Sequence, residues 1–292
     1  MKVNFIIPIR HPDLVVDKEK QYKYLNSTFF SISQQNDLRY AVYVVGNSNQ
    51  VLPPLPPKFK FVPVEYLKPE NYVNTLGIPM NLENYYISVQ RDKGKRVCAA
   101  LDLIQDMNSY VMVVDDDDFI SNSLVQYILK QKSQTGLFIT KGFRYNSSRN
   151  TFEKMKSFYK VCGTSIIVPI TYYSYMQRDI DVDYAIREAG SHVLIVEKIR
   201  THSLPFAPIP FYAAIYRNEN INSTQPIVQT LKKYETTKET PQKTKSLIFS
   251  PLAWIVRVTV NLVKKTRLKL IDILLNKVLI QKIKKTFGVV SE

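Results

Sequence analysis

Apolar and polar positions along the first two-thirds of the chain fall into blocks whose period changes. Val3–Ile9 is an apolar run stopped by Arg10, His11 and Pro12, the pattern of a strand buried on both faces. Over 18–35, Tyr22, Leu25, Phe29 and Ile32 recur at helical spacing. Tyr40–Val45 reads as a second strand, ending at Gly46-Asn47-Ser48-Asn49. Phe59–Val64 reads as a third, after a loop made rigid by Pro53, Pro54, Pro56 and Pro57. Strand, helix, strand with crossovers predicts an α/β sheet.

Residues 67–90 are aromatic and irregular in pattern. Lys93-Gly94-Lys95-Arg96 then leads into an expected helix over 97–107. Tyr110–Val114 is built of strand formers and stops at four aspartates, Asp115-Asp116-Asp117-Asp118. A helix over 123–132, a strand over 137–140 and a β-rich insert over 141–170 follow. A helix over 179–189 is closed by Gly190, and His192–Glu197 reads as a last strand. The pattern places a catalytic domain over 1–217 and a polar linker over 218–246. A helical tail occupies 247–292, its helix starting at the Ser250-Pro251 cap pair.

Charge changes the picture in the tail. The chain of 292 residues carries a formal net charge of +15. Residues 238–292 hold twelve Lys/Arg against three Asp/Glu, so the excess is largely a property of the tail. Trp254 and aliphatic residues interleaved with cations predict a surface-lying membrane anchor that meets anionic lipid. Packing of the tail on the domain is the competing expectation. Two cysteines, Cys98 and Cys162, are too few for a disulfide scaffold and fit a reducing compartment. The first apolar run is too short for a secretory signal. These readings predict a cytoplasmic protein, peripheral on the inner face of the cell membrane. Neither a P-loop nor a dinucleotide fingerprint occurs, and no nucleic-acid module is recognisable, so no nucleic-acid partner is expected.

The acidic run carries the candidate chemistry. Four like charges at one strand end repel, and a cation is the economical compensation. Mg²⁺ or Mn²⁺ takes carboxylate oxygens together with substrate phosphates, and ligands of open α/β sheets sit at the carboxyl ends of strands. Arg10, at the end of the first strand, is placed to reach a nucleotide. Lys93 and Arg96, at an expected helix start, suit an anionic donor.

Tyr110–Ile120, an apolar strand running into D-x-D-D and an aromatic residue, resembles the family 2 glycosyltransferases of the GT-A fold. FIIPI at 5–9, Lys93-Gly94-Lys95-Arg96 followed by Ala99, and Asp179-Ile180-Asp181 ahead of Ala189-Gly190 resemble further parts of that pattern. The resemblance spans residues 3–217. It implies a Rossmann-like mixed sheet flanked by helices, and inverting transfer of a sugar, UDP-hexose favoured, to a saccharide or lipid-linked acceptor. It assigns Asp115 to the donor ribose or base, Asp117 to the metal and Asp118 to a neighbouring ligand position, and leaves Asp116 on the other face. Asp179 becomes the general base, with Asp181 its rival, and His202 a metal ligand after the last strand. Two departures stand out: Arg178 replaces a glutamate, and Gly46-Asn47 replaces the acidic turn that meets the base, leaving Asn47 in its place. The segment 203–224 is expected to close over the donor. A metal-dependent nucleotidyl or phosphoryl transferase, and a noncatalytic membrane- or nucleic-acid-binding protein, are the alternatives.

Overall fold

A computed structural model describes residues 1–69, 81–131, 135–147, 149–176, 181–217 and 280–289. Strands β1 (Val3–Pro8), β2 (Tyr40–Asn47), β3 (Phe59–Val64) and β4 (Tyr110–Val113) form the parallel half of one sheet, in the order β3-β2-β1-β4. The order continues β8-β6-β9-β5 through β5 (Phe119–Ile120), β6 (Gly136–Asn146), β8 (Ile166–Pro169) and β9 (Phe206–Arg217). Strand β7 (Thr151–Met155) pairs with β6. β8 runs antiparallel to β4 and β6, whereas β6 and β9 are parallel. The sheet is therefore mixed and carries helices on its faces, the α/β class that the strand–helix rhythm predicts.

The period-two rule explains how one sheet feeds two cores. Phe5, Ile7, Val42, Val44, Met112 and Val114 face one cluster, closed by Leu25, Phe29 and Ile32 of α1 (Lys18–Ser33). The alternate residues Ile6, Tyr43, Val45, Val111 and Val113 face the other. That second cluster is covered from α2 (Leu82–Leu101), α5 (Val182–Ala189) and α6 (His192–Thr201), by Val97, Ala189 and Ile195 among others. Two shorter helices, α3 (Leu124–Leu129) and α4 (Ile170–Met176), are also among the described elements. A third cluster joins Phe119, Phe143, Tyr145 and Ile215 to Ile283, Phe287 and Val289, so the described end of the chain packs on the sheet edge that follows the four aspartates.

Three expectations are corrected. The helix expected over 97–107 is α2, which begins at Leu82 behind the cap Asn81 and ends at Leu101. Gly94, read as marking a helix start, lies inside it. It is there for packing: a Cβ at Gly94 would sit 1.8 Å from the backbone oxygen of Ile186 on α5, and one at Gly190 would sit 2.2 Å from the Gln90 oxygen. His192–Glu197 is the first part of α6, not a strand. Ser191 caps it by accepting from the Leu194 amide, and a short apolar run is compatible with either element. The segment expected to close over a donor is, over 206–217, strand β9 inside the sheet. The linker and most of the tail lie outside the described residues. Among the described residues no helix is long and apolar enough to cross a membrane.

The close approach of α2 and α5 yields a test. Gly94→Ala forces backbone apart and should cost about 2 kcal/mol or more. Gly46→Ala, whose new methyl would meet its neighbours at 3.4 Å, should stay within about 1 kcal/mol of the parent. Urea midpoints of the two variants check this; equal midpoints would remove the packing argument.

Candidate functional site

The parallel strands β1 and β4 end at one cleft of about 480 Å³. Arg10 enters it from the end of β1, and Asp115, Asp116 and Asp117 from the end of β4. Lys93 and Arg96 come from α2, and His192 from the first turn of α6. Lys160 and Gly163 line the cleft from the β-rich insert, and Tyr85 and Tyr86 from α2.

The four aspartates occupy four environments because the chain stops being a strand before it reaches them. The Asp118 amide donates to the Asp115 carbonyl at 3.2 Å, making a turn. The hydroxyl of Thr28 on α1 donates to the carbonyls of Asp116 and Asp118 at 3.2 and 2.9 Å, which ties the turn to the helix below. The Asp115 side chain is ion-paired with Lys93, and its amide donates to Thr164 Oγ1 at 2.8 Å. Gly163 leaves room for this pair: a Cβ there would lie 2.6 Å from Asp115 Oδ2 and 2.9 Å from Lys93 Nζ. Burial works to lower the Lys93 pKa, but the charge and hydrogen bond of Asp115 outweigh it and hold the ammonium above its usual range.

Asp116, expected to face away, lines the cleft instead, because the turn breaks the alternation of the strand. It accepts from Gln21 Nε2 at 3.2 Å. Burial raises its pKa, opposed by Arg10 and by the bond from Gln21. Asp117 is 7% exposed and lines the cleft. Asp118 does not line it. Its carboxylate is fully buried and accepts from Cys162 Sγ at 3.1 Å and from the Arg217 amide at 3.2 Å. Burial, with the charge of Asp115, pushes its pKa up to about 7. The expected metal position of Asp118 is thus replaced by an anchoring one between the insert and β9.

His202 is also placed elsewhere. It is exposed at the C-cap of α6, with Nδ1 3.0 Å from the Lys198 carbonyl, away from the residues that line the cleft. The reason is the helix itself: ten residues of α6 carry the chain away from the cleft where a strand end would have returned to it. Asp181 is exposed and serves as the N-cap of α5, accepting from the Tyr184 amide at 3.0 Å, so it too lies outside the cleft. Asp179 falls outside the described residues. Asn47 is buried behind the cleft wall, where it accepts from Arg96 Nη2 at 2.9 Å and donates to the Tyr66 carbonyl at 2.8 Å. It positions Arg96, which Asp92 grips with both oxygens at 3.0 and 3.2 Å and which stacks over the Tyr66 ring.

Among the described residues, no cluster of three or more His, Cys, Asp or Glu could hold a metal ion by itself. The set Asp117, Asp118 and His202 is therefore not assembled. What the cleft offers a hard cation is carboxylates on one turn, a donor set that suits Mg²⁺ or Mn²⁺ only when substrate phosphates complete the shell.

His192 is the cleft residue that the sequence pattern hid, because as the first residue of an apolar run it reads as the start of a strand. Its Nε2 is buried without a hydrogen-bond partner among the described residues. Burial, reinforced by the charge of Lys93, pushes its pKa down to about 4, so the imidazole is neutral. The helix start that faces the cleft is that of α6, whereas Lys93 and Arg96 project from the middle of α2.

No protein-family profile matches the chain, and no curated protein matches its sequence. Solved structures similar to it include the bifunctional IspDF from Campylobacter jejuni (10% identity, TM-score 0.35, covering 72% of this chain and 49% of that one). A cytidylyltransferase from Leptospira borgpetersenii has 13% identity and a TM-score of 0.36, over 84% of this chain and 100% of that one. An inositol-1-phosphate CTP transferase from T. maritima has 8% identity and a TM-score of 0.38, over 80% and 96%. The chain spans about half the length of the first of these.

His192 makes stability depend on pH. Its pKa is about 4 when folded and near the ordinary 6.5 when unfolded, so the unfolded chain binds the proton more tightly. Stability should fall as pH drops from about 6.5 toward 4, by about 2 kcal/mol at pH 5 from this group. Denaturant unfolding at pH 7.5 and pH 5 should show that loss in the parent and a loss smaller by about that amount in His192→Gln. Equal losses would mean that His192 is not held neutral.

Proposed function

We propose that the chain is a nucleotide-dependent transferase, and that it transfers a sugar from a nucleoside-diphosphate donor. The observation that carries this is the meeting of Asp115, Asp116 and Asp117 with Arg10 and Lys93 in one cleft at the carboxyl ends of β1 and β4. Such a mixture suits a ligand that brings both phosphate negative charge and a bound cation. Asp117, with Asp115 beside it, would hold Mg²⁺ or Mn²⁺. That ion would supply Lewis-acid stabilisation of the departing diphosphate.

The chain's own residues do the rest. Arg10 and Lys93 offset the charge that grows on the leaving group. Tyr85 and Tyr86, which line the cleft, offer ring surface for a base or a sugar. Asn47 and Asp92 hold the Arg96 guanidinium in one orientation, so its placement costs little when the ligand arrives. The acceptor hydroxyl is deprotonated as it attacks; Asp179 keeps the general-base assignment that the family resemblance implies. The acceptor, a saccharide or lipid-linked molecule, belongs to the same proposal. So does contact of the basic tail with an anionic membrane surface, made by tail residues ahead of those that pack on β5 and β9.

Nucleotidyl transfer is the second reading. The same carboxylates would serve it, and Lys160 adds a cation suited to a triphosphate. The turn after β1 favours glycosyl transfer. A leaving pyrophosphate is commonly cradled by successive backbone amides of a glycine-rich loop, whereas the segment that leaves β1 here runs from Pro8 through Arg10 to Pro12 with no glycine.

Turnover of a panel of nucleotide sugars and of CTP and UTP, with and without Mn²⁺, decides between the two. Release of nucleoside diphosphate with transfer to an acceptor is the expected result. Pyrophosphate release from a triphosphate would replace it with the second reading, and no turnover of any would overturn both. Asp117→Ala should lower the rate by about 10²-fold or more, with folding checked by circular dichroism. A variant with undiminished turnover would remove Asp117 from the site.

A further inference from the structure

Among the described residues, Arg96 Nη1 and His192 Nε2 in the cleft wall are buried and have no hydrogen-bond partner. Buried polar atoms are nearly always satisfied, so each asks for an explanation. Arg96 is 1% exposed, and three of its bonds already fix its plane, which leaves Nη1 as a donor held in place ahead of use. His192 stands at the start of α6, between Ser191 and Val193, which also line the cleft. The close backbone contact of Gly190 with Gln90 sets that helix start against α2 beside Lys93. Lys93 acts electrostatically on the imidazole and favours its neutral form.

A neutral imidazole at a helix start, next to an ammonium, is suited to donate a hydrogen bond to an anionic oxygen. As donor it needs no protonation to act, and the first-turn amides of α6 add the positive end of the helix dipole. The second orphaned donor, on Arg96, shows independently that the described residues of the cleft wall supply fewer oxygen acceptors than donors to pair with them.

We propose that His192 is a substrate-binding residue whose Nε2–H donates to a non-bridging phosphate oxygen of the nucleotide, with Lys93 and the start of α6 completing that contact. It rests on the nucleotide-transferase reading and deepens it, naming the phosphate part of the ligand as what this side chain touches. It also replaces the donor contact that a helix start at Lys93 and Arg96 would have made. The bond forms without proton transfer, so it serves the leaving group by charge stabilisation alone.

Calorimetric titration at pH 8 with inorganic pyrophosphate, UDP and uridine tests this on the full chain. His192→Ala should weaken pyrophosphate and UDP by about tenfold and leave uridine unchanged. His192→Gln, whose amide restores an N–H donor at similar reach, should regain most of that loss, which a merely structural role would not predict. Thermal melts of both variants show that they are folded. If His192→Ala binds pyrophosphate and UDP as the parent does, the contact is overturned while the nucleotide reading stands. If the parent itself binds neither UDP nor pyrophosphate, both fall together.

Discussion

Four carboxylates in succession cannot share one environment, and the way this chain separates them organises the site. Like charges a few ångströms apart repel by kilocalories unless each finds its own compensation, about 4 kcal/mol for a pair at 4 Å in a medium of intermediate polarity. The turn at the end of β4 distributes them. Asp115 goes to Lys93 and Asp116 to Gln21 and the field of Arg10; Asp117 goes to the cleft and Asp118 to the interior. The partners of Asp115, Asp116 and Asp118 come from different elements, so α1, α2, the β-rich insert and β9 all meet at this turn. Thr28, Thr164 and Cys162 are the ties.

Asp118 shows how position in this turn changes chemistry. With a pKa pushed up to about 7, it sits near the boundary between carboxyl and carboxylate, and its bonds to the Cys162 thiol and the Arg217 amide close it off from the cleft. Arg217, whose amide it accepts, stacks its own guanidinium on Tyr24 at 4.0 Å and on Phe119 at 4.7 Å. Phe119 in turn packs with Ile283 and Phe287 from the end of the chain. The acidic turn is therefore backed by a continuous packed layer, and rigidity behind a cleft is what lets charges in front of it be placed without reorganisation.

The α2–α5–α6 side works by close backbone approach instead. Gly94 and Gly190 let two helices touch main chain to main chain, which brings the start of α6 next to Lys93. A helix start, an ammonium and an imidazole meet there although they are distant in sequence. Buried Glu188 accepts from Tyr172 and from half-buried Lys198, the latter at 3.0 Å, which fixes α5 and α6 to α4 from behind.

The sequence by itself determined the parallel strands β1 to β4, the helix α1, the mixed α/β class and the presence of a charged cleft at the end of β4. These follow from local pattern: period-two apolar runs, helical spacing, and like charges that demand compensation. It also pointed to Arg10, Lys93, Arg96, Asp115 and Asp117, all of which line the cleft. Tertiary structure alone decided the rest. Whether HVLIVE is strand or helix depended on what it packs against. Which of four identical aspartates faces the cleft depended on Thr28 and Cys162, far away in the chain. Asn47 was legible as a polar residue at a strand end, but its service to Arg96 was not. The inclusion of His192, and the exclusion of His202, Asp118 and Asp181, turned on a helix whose direction no local pattern encodes. Long-range contacts set those outcomes, because a side chain's role is fixed by what the fold brings beside it rather than by its neighbours in sequence.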